Sequence, residues 1–183
     1  MTDHDFQPSF LLSMPQMQDP NFARTVVLLC DFNPDGAFGL VLNRPTEMAA
    51  RDMVRLIPPV VGGNDLRLYI GGPVQPELGW ILVNDAPDTG EYRTIREGLH
   101  LSSSPELLRA VLVQQPTPRA RVIAGYAGWG PGQLDEELAQ SAWLIGDVHI
   151  DLVFDVDPST MWDTAIRRLG ADPSALQPSH GVH

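Results

Sequence analysis

The sequence predicts a single α+β domain, and three features point to it. Apolar, β-branched runs flank turn residues in the manner of hairpins, another such run feeds directly into a helix, and well-capped helical segments are interspersed among them. With 183 residues the chain is long enough to bury one sizeable core and short for two. Its hydrophobic fraction of 43% is ordinary for a globular protein.

TVVLLCDF (Thr25 to Phe32) and AFGLVLN (Ala37 to Asn43) surround Asn33-Pro34-Asp35-Gly36. Proline at the second turn position and glycine at the last give a type I turn, hence a hairpin. RLYI (Arg67 to Ile70) and GWILVN (Gly79 to Asn84) flank Gly71-Gly72-Pro73 and are expected to form a second strand pair. ARVIAGYA (Ala120 to Ala127) is apolar enough for a central strand.

Four helices are expected. EMAARDMVRLI is stopped by Pro58-Pro59. SSSPELLRAVLV starts on a serine cap, with proline in the first turn and Glu106 three residues after Ser103. QLDEELAQSAW sets Leu134, Leu138 and Ala142 on one stripe. DPSTMWDTAIRRLG is capped by Asp157, gathers Trp162, Ala165, Ile166 and Leu169 on one face, and ends on Arg167, Arg168 and Gly170. Residues 10–170 are read as the domain, with 1–9 and 171–183 as flexible ends.

Charge restricts function more than the pattern does. Twelve basic against 23 acidic residues leave a net charge of −11, a surface that repels phosphodiester backbones, so direct nucleic-acid binding is disfavoured. Every cation is an arginine. Without lysine there is no Walker A phosphate site, no Schiff base and no lysine general base. No apolar stretch approaches the roughly 18 residues of a membrane span, and MTDHDFQPSF lacks the regions of a secretory signal, so the expected location is the cytoplasm. The single cysteine, Cys30, fits a reducing compartment.

The glycines of GYAGWGPGQLDEELAQSAWL suggest a phosphate loop, but the spacing does not hold. A dinucleotide fingerprint starting at Gly128 meets Gln133 in its sixth position, and one starting at Gly130 meets Asp135. The helix that follows opens with Asp135, Glu136 and Glu137, which already occupy the positive end of its dipole. A tight strand-to-helix turn is the better reading. Trp129 within it is either an exposed anchor for a partner or a lid folded on the core.

Cys30 shares a strand face with Val26, Leu28 and Phe32, as a buried apolar residue would, with Asp31 on the opposite side. GDVHIDLVFDVDP alternates Asp147, His149, Asp151 and Asp155 with apolar residues; as a strand it would set them on one face, either solvated or able to hold a hard metal, while Asp157 serves as a helix cap. His4, His100, His180 and His183 are isolated or terminal. No cofactor is implied. The sequence contains no G-x-S-x-G, H-E-x-x-H, C-x-x-C or kinase signature. What remains are polar loops at strand ends, where binding residues concentrate. Arg44 is their only cation, suited to a carboxylate or phosphate, or to an ion pair with Glu47 or another loop acid.

MPQMQDPNFARTVVLLCDFNPDGAFGLVLNRPT, YIGGPVQPELGWIL, GYAGWGPGQLDEELAQSAWL and FDVDPSTMWDTAIRRLG resemble, in order, the successive blocks of the AlgH/YqgE family of bacterial proteins, from Phe10 to Gly170. The resemblance implies an α+β fold whose bifurcated, mixed β-sheet folds into a pseudo-barrel with flanking helices. It implies no catalytic residue set; one branch is labelled a candidate transcriptional regulator of alginate synthesis. Asn43, Arg44, Pro45, Gly71, Gly72, Pro73, Gln75, Gly128, Trp129, Gly130 and Gln133 are nominated as a shared ligand or partner surface. The expected function is a non-catalytic binding or regulatory module whose partner is a protein or a small molecule. The alternative is an enzyme with one cleft between the Asn43-Arg44, Gly71-Gly72 and Gly128-Trp129 loops.

Overall fold

A computed structural model describes residues 6–15, 17 and 19–176. His4, His180 and His183, with most of the expected flexible ends, lie outside them. Among these described residues ten strands form one sheet: β1 (Ser9–Ser13), β2 (Val26–Asn33), β3 (Gly36–Val41), β4 (Pro45–Ala49), β5 (Arg67–Ile70), β6 (Val74–Val83), β7 (Arg93–Arg96), β8 (Leu99–Ser102), β9 (Ala120–Trp129) and β10 (Trp143–Gly146). Five helices accompany them: α1 (Ala50–Met53), α2 (Pro105–Val113), α3 (Gln133–Ala139), α4 (Ile150–Phe154) and α5 (Pro158–Arg168). No helix among the described residues is long and apolar enough to cross a membrane.

The strand order β10-β1-β2-β3-β9-β6-β8-β7 is antiparallel throughout, and the fork lies at β9. The first half of β9 runs between β6 and a parallel partner, β5, with Leu68 opposite Val122, while its last three residues pair with β3, Ala37 opposite Trp129. The sheet is therefore mixed and bifurcated. It curls without closing: Phe10, Leu12, Leu28 and Leu40 from one branch share an inner core with Tyr69, Leu82, Leu99 and Leu101 from the other, and α4 and α5 cover it. Two outer cores remain. On one, α1 and α2 pack over β5, β6 and β9; on the other, α3 packs with Trp129 and Trp143 over β1 and β2.

The β2–β3 hairpin turns at Pro34-Asp35 as the turn residues predict, Asn33 opposite Gly36. A bulge between Leu29 and Asp31 then breaks the alternation of β2. Val26, Leu28 and Cys30 stay on the inner core, but Phe32 packs on the outer one, and Asp31 lies beside Phe38 with its carboxylate 2.8 Å from Arg93.

The expected second strand pair does not form, because β9 is inserted between β5 and β6. Gly71-Gly72-Pro73 is instead a crossing over β9. The amide of Gly71 donates to the carbonyl of Ala124 at 2.8 Å, and the Gly71 carbonyl accepts from Val41 at 2.8 Å, which closes the gap between the branches. Gly72 has φ +153° and lies so close to β9 that a Cβ would stand 2.1 Å from the Tyr126 carbonyl oxygen.

Two further segments differ from expectation. EMAARDMVRLI is mostly not helical: β4 takes its start, α1 is one turn, and Val54, Leu56 and Val60 of the following loop pack inward beneath α2. Pairing of Pro45 with Tyr69 and Ala49 with Arg67 outweighs the helical propensity of the segment. Within GDVHIDLVFDVDP, Ile150–Phe154 form the helix α4 and not a strand. Its apolar residues satisfy the helical period as well as the strand period, and Leu152, Val153 and Phe154 are buried. Asp151 and Asp155, four residues apart, face outward to Arg168 at 2.6 Å and Arg119 at 2.5 Å. Hydrogen bonds from Arg168 hold the Asp151 carboxyl below the usual range.

The α2 cap is Ser104, whose hydroxyl accepts from the Leu107 amide at 3.3 Å; Glu106 accepts instead from Thr89 at 2.6 Å. Asp157 caps α5 and Trp162, Ala165 and Ile166 are buried, with Met161 in place of Leu169, which is 42% exposed. Beyond α5, Pro173–Leu176 form a 3-10 turn whose Leu176 packs on the inner core.

Candidate functional site

Eight of the eleven nominated residues divide between two clefts at either end of the Gly72–Gln75 segment; Gly71, Gly130 and Gln133 line neither. The first, about 580 Å³, is lined by Pro20, Asn21, Asn43, Arg44, Pro45, Ile70, Gly72, Pro73 and Ser159. Its volume suits a small ligand. Two fixed connections build it. The Asn43 side chain accepts from the Val26 amide and donates to the Arg24 carbonyl, both at 3.0 Å, and the Ile70 amide donates to the Arg44 carbonyl at 2.9 Å. These bonds bring segments 20–26, 43–45 and 70–73 together. The Arg44 guanidinium donates to the carbonyl of Ala23. Among the described residues no carboxylate pairs with it, so the ion pair to Glu47 or another loop acid is not made.

The second cleft, about 560 Å³, is lined by Ala37, Phe38, Val74, Gln75, Leu78, Trp80, Tyr126, Gly128 and Trp129. Phe38 stands 4.9 Å from Trp80 and 5.1 Å from Tyr126, ring centre to ring centre, and these three half-buried rings form its apolar wall. The single cleft uniting the Asn43-Arg44, Gly71-Gly72 and Gly128-Trp129 loops is thus absent: the first two converge and the third belongs elsewhere. Gly128 and Trp129 extend β9, and the pairing of Trp129 with Ala37 directs them to the aromatic wall.

Trp129 is the lid on the outer core, 6% exposed. Its ring stacks on Phe22 at 6.3 Å and meets Trp143 edge-on at 6.0 Å, and both indole N–H groups point at one Glu137 oxygen, at 3.4 and 3.1 Å. The exposed-anchor reading is withdrawn. The glycine turn is also occupied from within. The Gly130 amide donates to the Gln133 side-chain oxygen at 3.0 Å, and Gly132 takes the left-handed conformation at the start of α3. Gly130 and Gln133 therefore shape a turn.

A third cleft, about 430 Å³, adjoins Phe38 and Trp80 and contains Asp31, Glu91, Tyr92 and Arg93. His100 is buried beside it, its Nδ1 2.9 Å from the Thr94 hydroxyl. The residues of α4 that alternate in sequence do not assemble, and among the described residues no group of three His, Cys, Asp or Glu stands close enough to hold a metal.

Cys30 is 4% exposed in the inner core. Burial pushes its thiol up to about 12, although Arg93 lowers it and Asp31 adds to the rise. The thiolate fraction at neutral pH is then negligible. A thiol reagent at pH 7.5 is expected to leave the folded protein unlabelled over an hour and to label it stoichiometrically in denaturant; rapid labelling without denaturant would show that the sulfur is accessible and reactive in the folded chain.

Sequence reasoning missed Pro20, Asn21, Ile70 and Ser159 in the first cleft and Phe38, Trp80 and Tyr126 in the second. Only the aromatic residues carried a signal, as half-buried rings at neighbouring strand positions. The others are brought in by the crossing over β9 and the docking of α5, which no local pattern specifies.

This architecture and its blocks of sequence match known proteins. A family model described as AlgH-like matches residues 10–174. The chain belongs to the AlgH-like family. Among its relatives is a UPF0301 protein of Myxococcus xanthus, 38% identical over 178 residues, covering 96% of this chain and 97% of that one. A UPF0301 protein of Methylococcus capsulatus is also 38% identical, with 94% of each covered. The solution structure of the AlgH protein from Pseudomonas aeruginosa is similar with a TM-score of 0.74 at 33% identity, covering 95% of both chains. A protein of Corynebacterium diphtheriae, 24% identical and covering 98% of this chain and 92% of that one, shares the fold with a TM-score of 0.68. The α+β architecture is therefore that of the AlgH-like proteins.

Proposed function

We propose that this AlgH-like chain is a non-catalytic binding module and that the Arg44 cleft is where it engages a small ligand or partner. The observation that carries this reading is the convergence of Asn43–Pro45 with Ile70–Pro73, two sequence-distant segments, in one cleft whose other polar side chains are committed to the frame. Asn43 ties strands together. The Ser159 hydroxyl donates to Asp157 at 2.7 Å, and this bond and the Ser159 amide hold the Asp157 carboxyl below its usual range. A carboxylate so stabilised is a weak base, and no histidine lines the cleft to take a proton from Ser159. The geometry favours holding a ligand over transforming one. With a net charge of −11, any influence on transcription is exerted through that ligand or partner and not by contact with DNA.

Native mass spectrometry of the protein purified from its own cells tests this. An adduct whose mass stays constant on incubation, and which is lost from an Ile70→Trp variant that fills the cleft, is the expected result. Release of a chemically altered product from the folded protein would overturn it.

A further inference from the structure

We infer that the Arg44 cleft recognises the carboxylate of a singly charged acid with an aliphatic body; this rests on reading the cleft as the ligand site. Among the described residues Arg44 is the only charged side chain lining it. Arg24, Arg51, Arg93, Arg119 and Arg168 each stand beside a carboxylate of the chain; Arg44, like Arg96, Arg109 and Arg121, gives a nitrogen to a backbone carbonyl and meets no acid among the described residues, and of these four it alone lines this cleft. A guanidinium carries five N–H donors in a planar fork that matches a carboxylate. Beside the neutral side chains of Asn21, Asn43 and Ser159 the wall is apolar: Pro20, Val41, Pro45 and Pro73 line it together with Ile70, which is 41% exposed although it sits in a strand. Such a wall gains from covering an aliphatic chain.

Charge selects among anions. A single arginine neutralises one negative charge, so a phosphate dianion would remain net negative within the field of a chain carrying −11. A monocarboxylate would be neutralised in full. A free aliphatic acid and a polypeptide C-terminus ending in an aliphatic residue present this same chemistry.

The test is a ¹H–¹⁵N shift titration of the full chain with 4-methylpentanoate, 4-methylpentanamide and inorganic phosphate, and with acetyl-valyl-leucine as acid and as amide. Saturable shifts at residues 43–45 and 70–73 are expected for the acids, with the matching amides and phosphate at least about tenfold weaker. Arg44→Gln, which keeps a donor for the Ala23 carbonyl, should weaken the acids about tenfold while leaving the remaining spectrum in place. Arg44→Ala serves as the second variant. Tighter binding of the dipeptide acid than of the free acid identifies a chain end as the source. Equal binding of acid and amide, or insensitivity to both Arg44 variants, sinks the carboxylate inference but leaves the cleft as a ligand site. No response to any acid at 10-millimolar order, roughly the weak limit for small ligands, also sinks it, and the mass-spectrometric test then judges the cleft separately.

Discussion

Gly72→Ala is expected to yield no stably folded protein. The new methyl carbon would lie 2.1 Å from the Tyr126 carbonyl oxygen and 2.2 Å from its carbon, and 2.4 Å from the Ala127 nitrogen, all of them backbone atoms of β9 that cannot rotate away. Relief would require lifting the crossing off the strand. That movement strains the Gly71 bonds to Ala124 and Val41, which join the two branches of the sheet. Overpacking of this kind costs typically 1–3 kcal/mol and more against rigid atoms, and the φ of +153° adds a penalty of order 1–2 kcal/mol for any side chain. Together they come to about 2–5 kcal/mol or more, the lower end of the roughly 5–15 kcal/mol that holds a whole domain together. Gly79→Ala is the control, since nothing stands within 4 Å of its Cβ position. Thermal melts of the two variants should separate completely: Gly79→Ala near the parent, Gly72→Ala without a cooperative transition. A Gly72→Ala protein melting within a few degrees of the parent would mean that the crossing is not as tight as described.

The same crossing marks the limit of what local sequence can say. Asn33-Pro34-Asp35-Gly36 specifies its hairpin because the turn chemistry is complete within four residues, and Asp157-Pro158 with Gly170 specifies α5 for the same reason. The Gly71-Gly72 pair looks like another turn. Only the insertion of β9, contributed from some fifty positions later, makes it a bridge, and strand pairing at that distance leaves no local mark. In α4 the pattern itself is ambiguous: the apolar residues of VHIDLVF suit both periods, and the inner core that takes up Leu152, Val153 and Phe154 together is built from strands elsewhere in the chain. The site shows the same division. The polar loops single out Asn43, Arg44 and Pro73, which line one cleft, since strand-end loops are natural places for it. Trp129 was open between two readings because burial depends on Phe22 and Trp143, which reach it only after β1, β3 and β10 assemble.

Trp162→Ala is expected to lower the melting temperature by roughly 6–20 °C, from a cost of about 3–5 kcal/mol at about 2–4 °C per kcal/mol for a chain of this size. The side chain is 3% exposed at the junction of α5 with β1 and β2. Its indole donates to the Ser13 carbonyl at 2.9 Å, and the Ser13 hydroxyl in turn accepts from the Thr25 amide at 2.8 Å. Arg24 lies 4.6 Å above the ring while pairing with Asp163 at 2.9 Å. One residue therefore ties the helix to both strands. Trp162→Phe separates the contributions: the ring contact survives in part, but a buried carbonyl loses its partner, at about 1–3 kcal/mol. An intermediate melting temperature is expected for Phe. The effect should extend to the cleft, because Ser159, one turn earlier on α5, lines it. Loosening α5 would displace that wall while leaving Arg44, held through Ala23, in place. Trp162→Phe should thus broaden the amide signals of 157–163 and leave those of 43–45 sharp. A uniform change across both segments would show that α5 and the strands form one rigid unit, with Ser159 held independently of Trp162.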